Sequence, residues 1–126
     1  MLRLAAKRGP LHVVNDQTLT PTATYALSEQ LVTLATCGEF GTYHATCQGE
    51  CTWFDFAQEI FRQADLRVDL RPQSTAASGA RARRPRYSVL ENRQLKRLAS
   101  DVLPTWQEAL IGYLRQRATL NSPVRN

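Results

Sequence analysis

Three groups of side chains in this sequence have types and spacing that could do chemistry. Asn15, Asp16 and Gln17 follow the β-branched pair Val13-Val14, and Pro21-Thr22 come shortly after. A carboxylate and an amide in the loop after a strand stand where polar side chains meet ligands. The same residue types also make a plain turn, and Thr22 or Thr24 can cap a following helix. The second group is cationic: Arg81, Arg83, Arg84 and Arg86 fall together, and Arg115, Arg117 and Arg125 lie near the C-terminus. With 16 basic against 11 acidic residues, the net charge of +5 favours phosphates, nucleotides or nucleic acid as partners. The third group is His44, Cys47 and Cys51. The C-x3-C spacing is loose, no second pair exists and Cys37 precedes a different element, so a zinc site is not expected. An odd number of cysteines argues for free thiols.

Several catalytic engines are missing from the 126 residues. The glycines, at positions 9, 38, 41, 49, 79 and 112, form neither a dinucleotide fingerprint nor a P-loop. Glu29, Cys47, Glu91 and Arg117 stand four residues after the tyrosines, so there is no Tyr-x3-Lys pair. No G-x-S-x-G elbow occurs. His12 reads as strand filler and His44 as a buried or half-buried hydrogen-bonding residue, so a triad has no basis.

The elements that must position these groups read as alternating short strands and helices, an α/β arrangement in one domain. Met1–Arg8 looks like a helix end stopped by Gly9-Pro10. Leu11–Asn15 is a short strand. Thr24–Thr36 is an amphipathic helix whose stripe is Leu27, Leu31, Leu34 and Ala35. Gly41–Cys47 alternates as a strand, with Tyr43, Ala45 and Cys47 on one side. Thr52 and Asp55 make a capping box for a helix over Thr52–Ala64, with Trp53, Phe56, Ala57, Ile60 and Phe61 on one face. A short strand spans VDLRP, and Gln73–Arg86 is a long irregular loop of the kind that is functional or disordered. Asn92–Ala99 is a short helix. Thr105 and Glu108 cap a last helix that buries Trp106, Ala109, Leu110, Tyr113 and Leu114. The domain is expected over residues 1–118, with 119–126 a flexible tail. The absence of a long apolar run or an apolar leader gives a cytoplasmic chain without a membrane span as the expectation.

Six stretches in order carry a resemblance: MLRLA, VVNDQ-x3-PT, GTYH, the GECTWFDFA-x-EIF helix, RRPRYSVLEN and LPTWQEAL. Together they closely resemble the C-terminal portion of dTDP-4-dehydrorhamnose reductase, an extended short-chain dehydrogenase. The resemblance implies a substrate-binding portion whose Rossmann half, with the NADPH or NADH site and the Tyr-Lys pair, lies outside this chain. The implied reaction is reduction of dTDP-4-dehydro-L-rhamnose to dTDP-L-rhamnose for surface polysaccharide. The implied substrate-binding residues are Asp16, Gln17, Pro21 and Thr22, matching a DQ-x-G-x-PT segment, and Arg84 and Pro85, matching an R-P pair. An Arg fork suits a diphosphate, while Arg81, Arg83 and Arg86 add field. No catalytic, cofactor-binding or metal residue is expected in this chain, and the chain alone is expected to be inactive.

Three positions depart from the family pattern. Leu19 replaces a glycine, which would strain the loop if that position needed positive φ. Ala26 replaces an acidic residue, and Ala77–Gly79 replaces Glu-aromatic-Pro. The expected partners are a dTDP-sugar and a Rossmann half or a second copy, the latter because the GTYH strand would have an open edge and the fold marginal stability. A regulatory module resembling the beta subunit of methionine adenosyltransferase is the alternative. Nucleic-acid binding is not expected, since the arginines lack interleaved aromatics apart from Tyr87.

Overall fold

The computed structural model describes residues 1–5 and 9–121. Its order is α1 (Leu2–Ala5), β1 (Leu11–Val14), β2 (Thr18–Leu19), α2 (Thr24–Thr36), β3 (Cys51–Thr52), α3 (Trp53–Gln63), β4 (Leu70–Gln73), α4 (Arg93–Arg97) and α5 (Trp106–Asn121). Residues 6–8 of the expected first helix and 122–126 of the expected tail lie outside the described residues.

β1 and β4 pair in parallel, from Leu11 opposite Leu70 to Val14 opposite Gln73. A parallel pair needs a long crossover. Here the crossover contains α2, β3 and α3, and α3 packs on both strands and on α5. Pro72 is tolerated in β4 because its missing donor falls on an edge. The second sheet is smaller. β2 runs antiparallel to β3, with Thr18 opposite Thr52 and Leu19 opposite Cys51. On its other side Thr18 bridges Tyr87, the Thr18 N–H donating to the Arg86 carbonyl at 2.7 Å and the Ser88 N–H to the Thr18 carbonyl at 2.9 Å. Leu19 therefore sits in a strand, and the strain a positive φ would bring does not arise. Among the described residues, the non-glycine residues with positive φ are Asp65 and Ala99.

Both capping boxes form. Thr52 Oγ1 accepts from the Asp55 N–H at 3.1 Å while Asp55 accepts from the Thr52 N–H at 3.0 Å. Thr105 and Glu108 do the same for α5. The core is Val13, Ala26, Ala57, Ile60, Phe61, Leu95, Leu103, Trp106, Ala109 and Leu110, with Cys47 and Cys51. Trp53 and Tyr113 stay substantially exposed, against the expectation that both helix stripes bury them. Gly112 has a packing role: a Cβ there would collide with the Tyr25 hydroxyl, which crosses α5 and donates to the Ala109 carbonyl at 3.3 Å.

Four further expectations are corrected. α2 has the expected extent, but it buries Ala26 and Gln30, while Leu31 is 54% exposed and Ala35 is exposed. The Gln30 amide bridges to the segment before α5, donating to the Ser100 carbonyl at 2.9 Å and accepting from the Val102 N–H at 3.0 Å. These two part-buried hydrogen bonds, and not the leucine spacing, set which face of the helix turns inward. Neither Thr22 nor Thr24 caps this helix: its N-cap is Ala23, without a side-chain hydrogen bond. Gly41–Cys47 keeps the expected alternation, with Tyr43 and Ala45 half-buried and Cys47 buried, yet it joins no ladder. Side chains hold it instead. Asn92 Oδ1 accepts from the Thr46 N–H at 2.9 Å and Asn92 Nδ2 donates to the Thr46 carbonyl at 2.7 Å, as a neighbouring strand would. His44 is exposed rather than buried.

Candidate functional site

The loop after β1 meets two distant segments. Asp16 accepts from the Thr75 N–H at 2.9 Å and from its hydroxyl at 2.6 Å, and Gln17 Nε2 donates to the same hydroxyl at 2.8 Å. The Thr75 hydroxyl and N–H hold the Asp16 carboxyl below its ordinary range, and the Arg86 charge adds to this. The Thr18 bridge to Tyr87 then fixes the arginine segment beside the same loop. Asp16 and Gln17 are thus brought next to the backbone that follows Arg84 and Pro85. Both of the latter are exposed. Arg81, Arg83 and Arg84 form no ion pair among the described residues.

Pro21 and Thr22 belong to a neighbouring wall. They line a hollow of about 370 Å³ with Leu19, Trp53, Phe56 and Trp106. The Thr22 hydroxyl accepts from the Cys47 N–H at 3.1 Å, tying this wall to the extended segment. A second hollow, of about 540 Å³, includes Thr20, Glu50, Tyr87, Asn92, Lys96 and Asp101. There Tyr87 donates its hydroxyl to Glu50 at 2.7 Å, which raises the tyrosine's pKa. The two hollows share no lining residue. A third hollow, about 900 Å³, lies between α3 and α5 and contains none of the six residues the resemblance picked out.

Sequence reasoning missed Thr75, Tyr87 and Asn92 as individual residues. Thr75 lay in the loop flagged for its length, and Tyr87 and Asn92 lay inside the RRPRYSVLEN stretch. No spacing rule linked them to their partners.

The arrangement can hold and orient a ligand. Its thiols are poor nucleophiles: burial pushes Cys51 up to about 12 and raises Cys47 as well. Both are buried while His44 is exposed, and no group of three or more potential metal ligands occurs among the described residues. A dinucleotide cofactor does not fit the residues present. β1 runs into an acidic loop and then β2, with no glycine-rich turn opening a helix toward a pyrophosphate. Among the described residues, no helix is long and apolar enough to cross a membrane.

The fold and site define a class: a small α/β domain matching the C-terminal part of nucleotide-sugar reductases. Within that class the chain belongs to the family described as the RmlD substrate binding domain, whose model matches residues 1–119. A dTDP-4-dehydrorhamnose reductase of Clostridium acetobutylicum is similar with TM-score 0.89 and 37% identity, over 93% of this chain and 42% of that one. The Bacillus anthracis reductase, solved with NADP, has TM-score 0.86 and 36% identity, over 91% of this chain and 41% of that one. The spore coat polysaccharide biosynthesis protein SpsK of Bacillus subtilis is 35% identical over 120 residues, 94% of this chain and 41% of that protein. The chain spans about two-fifths of the length of the curated relatives it matches.

Proposed function

We propose that this chain forms the sugar-nucleotide side of a dTDP-4-dehydrorhamnose reductase, binding dTDP-4-dehydro-L-rhamnose for reduction to dTDP-L-rhamnose. The NAD(P)H site and the proton donor belong to a separate Rossmann half. Asp16 and Gln17 brace the loop through Thr75, Pro21 and Thr22 form a wall, and Arg84 with Pro85 faces the diphosphate. The observation that supports this is the pairing of Thr18 with Arg86–Ser88, which brings the backbone of the arginine segment beside the β1 loop in a chain that matches a substrate-binding-domain family. A planar guanidinium takes two phosphate oxygens at once.

The test is a titration of the purified chain with dTDP, followed by calorimetry, beside an assay of NADPH oxidation with dTDP-4-dehydro-L-rhamnose. The expected result is saturable dTDP binding, weakened by Arg84→Ala, without NADPH turnover. A folded chain that leaves dTDP unbound overturns the assignment. Turnover by the chain alone overturns the division of labour.

A further inference from the structure

We infer that the aromatic hollow beside Leu19 and Pro21 receives the planar base of a nucleoside diphosphate, against Trp53. This rests on the proposed function and deepens it, because it assigns one end of the ligand to one cavity. Trp53 opens α3 and leaves 39% of its surface exposed, whereas Trp106 in the same hollow is 6% exposed. The Trp53 ring is braced in a series of edge-to-face contacts, 6.5 Å to Phe56 and 5.8 Å from Phe56 to Trp106. Such contacts fix ring orientation. Tyr113, half exposed, also lines the cavity. At about 370 Å³ the hollow is at the small end of ligand sites, a size that suits a base and its sugar.

The second observation is charge complementarity along the same strip of backbone. Thr18 lies between Thr52 and Tyr87. Two strand spacings, about 10 Å, therefore separate the residue that precedes Trp53 from the one that follows Arg86. One end of the strip offers rings with few polar atoms. The other leads through Arg86 to Arg84, which is exposed and without an ion pair among the described residues. A nucleoside diphosphate has the same polarity, an aromatic ring at one end and paired phosphates at the other. Every base has a π face, so stacking alone recognises the ring without choosing among bases.

The experiment titrates the purified chain with dTDP, thymidine and inorganic pyrophosphate, reading tryptophan emission and calorimetric affinity. The inference expects dTDP and thymidine to quench emission and pyrophosphate to leave it unchanged. Trp53→Ala should weaken dTDP about tenfold or more while pyrophosphate affinity holds. Trp53→Phe should retain most of the affinity, and Trp53→Leu, which fills the site without a π face, should show the loss expected of the alanine variant and carries the test should that variant not fold. Arg84→Ala should weaken dTDP and pyrophosphate but not thymidine. Equal dTDP affinity in wild type and in Trp53→Ala or Trp53→Leu sinks this inference and leaves the proposed function standing. No dTDP binding by the wild type sinks both. Emission that shifts with protein concentration and not with ligand shows a second copy covering the hollow, and also overturns the inference.

Discussion

Asp16 illustrates how a residue chosen for its chemistry can be engaged in holding the site rather than touching what enters it. Its carboxylate accepts both the Thr75 N–H and the Thr75 hydroxyl, and Gln17 completes the arrangement from the other side of that hydroxyl. Because these bonds favour the charged form, the folded-state pKa lies below the unfolded value. A depressed carboxyl contributes stability that is present above the unfolded pKa, about 3.9 for Asp, and lost as pH falls through the folded value. The wild-type melting temperature should therefore fall as pH is lowered below about 4, with Glu59, Asp69 and Glu108 contributing in the same sense. Asp16→Asn should melt lower near neutrality and show a shallower acid decline, the two curves converging at low pH. Parallel curves over the whole range would mean that Asp16 ionisation does not stabilise the loop.

Among the elements, α2 is anchored by polarity more than by its leucines. Gln30 is wholly buried, and its amide satisfies a donor and an acceptor in the Ser100–Val102 segment. Removing it leaves both groups without their partner, a loss of about 2 kcal/mol or more. For a domain of this size that corresponds to a fall in melting temperature of about 5–10 °C. Gln30→Ala and Gln30→Leu should both show it, although leucine restores the volume, because the loss lies in hydrogen bonding. A Gln30→Leu variant as stable as wild type would show that apolar packing anchors the helix. Asn92 plays the equivalent part for the extended segment 41–47, standing in for a neighbouring strand at Thr46.

As a whole, the molecule leaves the backbone of 42–45 without ladder partners among the described residues, near the exposed Leu31 and Val32 of α2 and Phe40. An open edge flanked by apolar side chains is a template for pairing with another chain. Purified chain should associate as its concentration rises, measured by sedimentation. Val32→Lys with Phe40→Lys should suppress that association without lowering the melting temperature, since both side chains are exposed at 67% and 99%. Association unchanged by the two lysines would place the contact elsewhere.

Local signals determined much of this fold. The Thr52–Asp55 and Thr105–Glu108 boxes, the span Thr24–Thr36 and the β1 strand were legible, because caps and periodicity are settled within a turn or two of chain. The six ordered stretches likewise carried the family. Tertiary structure alone decided which face α2 buries, that Thr22 bonds to Cys47 instead of capping a helix, and that Gly41–Cys47 is held by an asparagine side chain. It alone paired Asp16 with Thr75, 59 positions away. The physical reason is that a hydrogen bond between distant residues depends on where the crossover returns the chain, and no residue's own preference encodes its partner's arrival.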